Sequence, residues 1–259
     1  NVGSLVLTTL PITNADFIAP GPTMVFGQAT NANSSVVVNS GANINTLATN
    51  GYVAMVAPRV VHNGTITTNG QAALVGAEAA TINFSPDGLF DIEVTSGTTD
   101  VNGVVIGGSI GGTQSTGFGD FNRIYAVAVP KNQAMTMAIT AGANLGFNVA
   151  GRVDVVGNAI VLSAGHNIVD GEVAAAIAPA GGSGEARVSG SDFTATSALT
   201  MVGKTDAEII ATTAKTLHSD VTLRATREAR IVSSGAAGNL TIRGDVDIEA
   251  DLYLPAGAS

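Results

Sequence analysis

Near the end of the sequence four carboxylates alternate with aliphatic residues: Asp245, Asp247, Glu249 and Asp251 against Val246, Ile248, Ala250 and Leu252. In an extended strand this period of two sets all four carboxylates on one face. Such a ridge is a candidate cation site, because hard cations take several carboxylate oxygens. An ordinary solvated outer face is the competing reading. The histidines, His62, His166 and His218, lie far apart and follow no metal-ligand spacing. Around Val53–Ala77 the ionisable groups are Arg59, His62 and Glu78. Glycoside hydrolysis needs two carboxylates about 5 to 9.5 Å apart, and no two Asp residues are adjacent in the chain. These residues therefore assign no catalytic group, no cofactor and no firm metal site, and the chain reads as a non-enzyme.

The elements that would carry these groups must suit an unusual composition. Of 259 residues, 45% are hydrophobic, 12% charged and 4% aromatic, with no Cys and no Trp. That balance excludes a disordered chain, and no run of 18 apolar residues offers a transmembrane helix. So few bulky side chains fit a narrow interior of Val, Ile, Leu and Ala better than an ordinary core. Eleven Lys and Arg face 20 Asp and Glu, a net charge of -9, so the basic stripe that nucleic acid requires is missing. Residues 1–120 carry one base, Arg59, and seven acids, and would be repelled by an anionic membrane or polymer. Without Cys there are no disulfides, thiolate zinc sites or cysteine nucleophiles. This suits a chain that crosses an oxidising compartment unfolded.

Short β-branched or aliphatic runs, broken by Gly and Asn every 8 to 12 residues, predict strands throughout. They include Leu5–Leu10, Val36–Val38, Val53–Val56, Val104–Ile106, Tyr125–Val129, Ala159–Leu162 and Val221–Ala225. Repeats distinguish a solenoid from a sandwich. Asn50-Gly51 and Asn69-Gly70, 19 residues apart, open stretches that set Val53 over Ala72, Met55 over Leu74 and Val56 over Val75. VVHNGTI (Val60–Ile66) echoes VVNSGANI (Val37–Ile44) about 22 residues earlier. A shift of 23 lays Met137–Leu145 on Ile160–Ile168, placing Gly142 on Gly165 and the corner residue Ala143 on His166. The same shift carries Thr222, Arg224 and Thr226 onto Asp245, Asp247 and Glu249, with Arg224 paired to Asp247 across one turn.

The expected fold is all-β, a right-handed parallel β-helix (solenoid) of roughly 12 turns and about 60 Å. Residues 1–95 form its first stretch and 122–259 its continuation. The Gly/Thr-rich segment 96–121 is expected as an extra-helical loop or hairpin insertion. Within it, Gly111–Phe121 is similar to one calcium-binding nonapeptide, but such repeats bind only in tandem, so a flexible loop is the better reading. Thr205–Leu217 is the one helix candidate, with Thr205 and Glu208 as a capping box; its Thr-rich surroundings leave strand open. Asn33, Asn63, Asn83 and Asn239 begin N-x-S/T triplets and read as corner and ladder residues.

Four ordered blocks resemble the filamentous haemagglutinin family of two-partner (type Vb) secretion exoproteins: Asn14–Phe17, Gly51–Pro58, Asn63–Ile66 and Ala72–Ala77. Residues 1–95 look like the latter part of that family's secretion domain, and Arg123–Met137 is similar to a further family segment. The family's N-P-N-G motif is absent, so an excerpt or a processed form is expected. The resemblance implies a secreted, extracellular or cell-surface adhesin or filament-forming structural protein of a Gram-negative bacterium. It implies an outer-membrane transporter as export partner and a host or bacterial surface receptor of unknown identity. End-to-end or lateral self-association is a further expectation, because cut solenoid ends expose unpaired strand edges. The alternative is a carbohydrate-binding or carbohydrate-cleaving β-helix.

Overall fold

The computed structural model describes every residue except 1–2, 19–21, 86–87, 113–121, 132–134, 141, 147–158, 170–171, 177–184, 191–193, 196–197, 212–213, 218–219, 234–238, 243–244 and 251–259. The short aliphatic runs extend because β-branched side chains pack well on a pleated surface. Three faces of parallel strands then follow one another in a recurring chain order. Face 1 has eight strands: Leu5–Thr8, Tyr52–Ala57, Gln71–Gly76, Arg123–Ala128, Ala159–Ala164, Ala198–Gly203, Val221–Ala225 and Val246–Ala250. Face 2 has seven: Ser35–Val38, Arg59–His62, Val104–Ile106, Met135–Ile139, Glu185–Gly190, Asp206–Ala211 and Glu228–Ser233. Face 3 has five: Asn43–Thr46, Thr65–Thr68, Ser109–Gly111, Asn144–Leu145 and Thr194–Ala195. After it, Ala214–Leu217 and Asn239–Ile242 pair with each other at the corresponding point of the next two turns. Each strand pairs with its counterpart one turn later, as in Val53 on Ala72 and Met55 on Leu74. The chain is all-β and forms a parallel β-helix.

Alternation sends every second side chain inward. Met55, Leu74, Ala126 and Leu162 of face 1 meet Val60, Ile106 and Ile139 of face 2 and Ile66, Ile110 and Leu145 of face 3 in one aliphatic bore. Their neighbours on face 1 are buried too. Ala54, Val56, Ala73, Val75, Tyr125 and Val127 point outward and pack under Phe26, Ala80, Ile82, Ile92 and Val94. These belong to an outer antiparallel sheet of five strands, Thr23–Phe26, Ala79–Ser85, Gly88–Ser96, His166–Val169 and Glu172–Ala176. Two-sided burial explains why Tyr52–Ala57 reads as a nearly unbroken apolar run rather than an alternating one. Where the outer sheet has ended, Val221–Ala225 alternates between buried and partly or fully exposed residues.

Several expectations change. The segment 96–121 is not wholly extra-helical: Val104–Ile106 lies between Arg59–His62 and Met135–Ile139, and Ser109–Gly111 between Thr65–Thr68 and Asn144–Leu145. The hairpin that leaves the helix is instead Ala79–Ser85 with Gly88–Ser96. Such excursions lengthen the turns. Val53 pairs with Ala72, 19 residues on, whereas Ala72 pairs with Ile124, 52 residues on. Among the described residues the longest face therefore has eight strands, against the 12 turns expected, a stack of about 34 Å at about 4.8 Å per step. The shift of 23 does not describe stacking either. Met135–Ile139 lies on face 2 and Ala159–Ala164 on face 1. What the two stretches share is a corner, since Gly142 and Gly165 both have positive φ, 86° and 100°.

The helix expected over Thr205–Leu217 is replaced by two strands, Asp206–Ala211 and Ala214–Leu217. The described helix is Asn14–Ile18, where the Thr13 hydroxyl accepts from the Asp16 backbone N–H (3.1 Å) and donates to its carboxylate (2.6 Å). The echo of Val37–Ile44 in Val60–Ile66 is real stacking with an uneven step. Val37 lies on Val61 and Ile44 on Ile66, so the earlier corner is two residues longer.

Corners tolerate little bulk. A β-carbon on Gly70 would overlap the Gly51 carbonyl oxygen one turn away. Gly70→Ala is expected to cost about 2 kcal/mol by spreading the two turns, measurable as a lowered denaturant midpoint with an unchanged slope.

Candidate functional site

The residues singled out from the sequence are not gathered at one place. Arg59 is exposed on the outer side of face 2. His62, on the same strand, points inward and is completely buried, in register between Val38 and Ile106. His166 lies in the outer sheet, not at a corner stacked on Ala143. His218, Asp251 and the loop 113–121 lie outside the described residues. Asp247 is exposed and Glu249 lies on the same strand. The register there is Thr222 on Asp247 and Arg224 on Glu249, a step of 25 rather than 23. Arg224 still reaches Asp247 diagonally at 3.9 Å, with both side chains more than half exposed; such a pair contributes little. Among the described residues, no group of three or more His, Asp or Glu is placed to hold a metal ion.

The strongest ionic constellation went unrecognised in the sequence because it was read as a helix start. On face 2, Arg187, Glu208 and Arg230 are in direct register on three successive turns. Arg187 Nε donates to Glu208 Oε2 at 2.9 Å and Arg230 Nη2 to Oε1 at 2.5 Å, so both carboxylate oxygens are engaged. Two residues earlier on the same strand, Asp206 accepts from both Nε and Nη2 of Arg227. Asp206 and Glu208 are each only 4% exposed, roofed by arginines that are themselves partly exposed. Two carboxylates two residues apart on one strand stand about 6.6 Å apart, which falls within the spacing of an inverting glycosidase. A general acid must carry a proton to its leaving group, however, and each carboxylate here is occupied by guanidinium donors. The arrangement works as an ion-pair ladder that locks consecutive turns.

A second cluster surrounds Glu78, at the corner where the outer hairpin departs. Its Oε2 accepts from Lys131 Nζ at 2.5 Å and Gln28 Nε2 at 3.0 Å, and its Oε1 from the backbone N–H and hydroxyl of Thr99, both at 3.2 Å. Burial alone would raise the Glu78 pKa, but the Lys131 ammonium and the Thr99 donors outweigh it and hold it below its ordinary value. The cluster ties the first turn, the base of the hairpin and the turn containing Lys131 to one carboxylate.

His62 is the third buried ionisable group. Its Nε2 donates to the Ser109 carbonyl at 3.0 Å, and its Nδ1 is buried without a partner. Desolvation lowers its pKa, and the Ser109 bond offsets only part of that. The unfolded chain therefore takes up a proton at His62 before the folded chain does, so stability falls as pH drops through about 6.5. The expected slope is up to about 1.4 kcal/mol per pH unit. His62→Gln, which keeps a donor for Ser109, should flatten the profile between pH 7 and 5 in denaturant titrations.

No protein-family model matches the chain, and no curated protein is significantly similar to it.

Proposed function

We propose that this chain is part of a secreted or cell-surface β-helical adhesin or filament-forming structural protein of a Gram-negative bacterium, exported by two-partner secretion and acting without a reaction centre. The observation that carries the reading is where the four resembling blocks fall. Gly51–Pro58 and Ala72–Ala77 contain successive rungs of face 1 that pair residue for residue, and Asn63–Ile66 spans the corner between faces 2 and 3 and the first two residues of the face 3 strand in the same turn. Asn14–Phe17 makes up most of the short helix that precedes the first outer strand. The order of the blocks is thus the order of winding. Stacked turns present side chains and loops at fixed intervals, which is what a passive adhesive rod requires.

The test is export. Secretion from a Gram-negative host together with its cognate outer-membrane transporter, compared with secretion without it, should yield extracellular protein only in the first case. Retention in both cases, with the cognate transporter functional on another substrate, overturns the reading. The carbohydrate-cleaving alternative draws on the spacing of Asp206 and Glu208. Release of oligosaccharides from an extracellular polymer, abolished by Glu208→Gln, would establish it instead.

A further inference from the structure

The three faces differ in what they offer a partner. Face 1 is largely roofed by the outer sheet, and face 2 carries the arginine and carboxylate ladder. Face 3 is different: none of its five strands contains a charged residue, in a chain of net charge -9. Its inward residues Ile66, Ile110 and Leu145 line the bore. The alternate residues form columns across the turns, Asn43 on Thr65, Thr65 on Ser109 and Ser109 on Asn144, with Asn45 on Thr67 beside them. Each is exposed or half-exposed. Next to Thr67 comes Gly111, where a β-carbon would overlap the Gly146 carbonyl oxygen, so that part of the face stays flat.

We infer that face 3 is a binding surface for an extended neutral polysaccharide lying along the helix axis. This rests on the adhesin reading and names its partner. A charged polymer finds no countercharge on this face. An apolar partner would leave the hydroxyls and amides without hydrogen bonds, at a cost for every group desolvated. A chain of uncharged, hydroxyl-bearing rings matches the array in charge and in hydrogen-bonding capacity, since Asn, Thr and Ser side chains all donate and accept. The strand ladder repeats these groups at about 4.8 Å per turn over about 19 Å. Because the backbone ladders hold them in place, little further ordering is needed on binding.

The experiment is co-sedimentation of the purified chain with insoluble cellulose and with chitin, at low and at high salt. Binding to at least one, unaffected by salt, is expected. The double variant Thr65→Lys/Thr67→Lys should weaken it tenfold or more, while Val37→Lys on face 2 leaves it unchanged, all three proteins showing the same strand-rich circular dichroism. No sedimentation with either polymer, binding indifferent to the face 3 variant, or incorporation into growing ice in place of polysaccharide binding each overturns the inference. Attachment of cells displaying the chain is scored in parallel. Attachment that persists in the face 3 variant overturns this inference and leaves the adhesin reading standing. Polysaccharide binding lost in the variant, from a chain that no transporter exports, supports the inference and removes the export reading.

Discussion

Leu74→Ala is expected to destabilise the protein by about 3–5 kcal/mol, the range for emptying a well-packed aliphatic site. Leu74 is completely buried and stacks between Met55 of the preceding turn and Ala126 of the next. Ala126 is already small, so the cavity has little to collapse upon. In a solenoid each turn is held mainly by its neighbours, and the loss should be local before it is global. Hydrogen exchange should accelerate first in Tyr52–Ala57 and Arg123–Ala128, the strands flanking the defect, and denaturant unfolding should give the total. Thr67→Ala, seven residues away in sequence on the solvent side of face 3, should stay within about 0.5 kcal/mol. Equal losses from both variants would sink the description of the bore as the dominant core.

Lys131→Met carries the second large effect, about 3 kcal/mol at neutral pH. Removing one partner of a buried pair leaves the other charge uncompensated. The value belongs at the low end of that class because the Lys131 side chain is 33% exposed, against 5% for Glu78. The pH dependence identifies the cause. In the native protein Glu78 has a lowered pKa, so its contribution is present above about pH 4.5 and is lost as pH falls through the lower folded value. Without Lys131 the largest opposition to burial is gone and the preference for the ionised acid weakens, so the penalty shrinks as pH drops. The two proteins should converge in acid, and Lys131→Arg should retain most of the stability. A difference constant from pH 7 to pH 3 would show that Lys131 acts by packing alone.

The fold was legible where a turn is short. Tyr52–Ala57 and Gln71–Gly76 are joined by corners and two brief strands alone, so the 19-residue echo is the physical register. It became illegible where excursions vary the step, because no single period then aligns equivalent positions. The misassigned shift of 23 shows why: a glycine with positive φ marks a corner, and this helix has a corner between every pair of faces. Gly142 and Gly165 are alike locally, yet they follow strands of different faces. The outer sheet had left a trace in the unbroken apolar runs of face 1, which signal burial on both sides. Val104–Ile106 was identified as strand while its surroundings were assigned to a loop, since glycine-rich composition marks tight corners as readily as flexible segments.

The candidate groups were less legible than the fold. Asp206 and Glu208 look like the polar start of a helix until their neighbours at Arg187, Arg227 and Arg230 are brought alongside by pairings 21 and 22 residues apart. The acidic ridge was visible because its period of two is local. The ladder was invisible because its partners belong to other turns. The uncharged columns of face 3 were hidden for the same reason: Asn43, Thr65, Ser109 and Asn144 are unremarkable until they are stacked.

The Arg187–Glu208–Arg230 column also bears on how often its central turn can occur. Its signs alternate over three turns, so the Glu208 carboxylate has a guanidinium above and below. Deleting the turn that carries Glu208 would set two guanidinium groups directly opposite each other, and duplicating it would set two buried carboxylates opposite each other. Like charges in register destabilise a sheet. This column therefore holds the Glu208 turn at a single copy, whereas losing the Arg187 turn would set only Ala138 against Glu208.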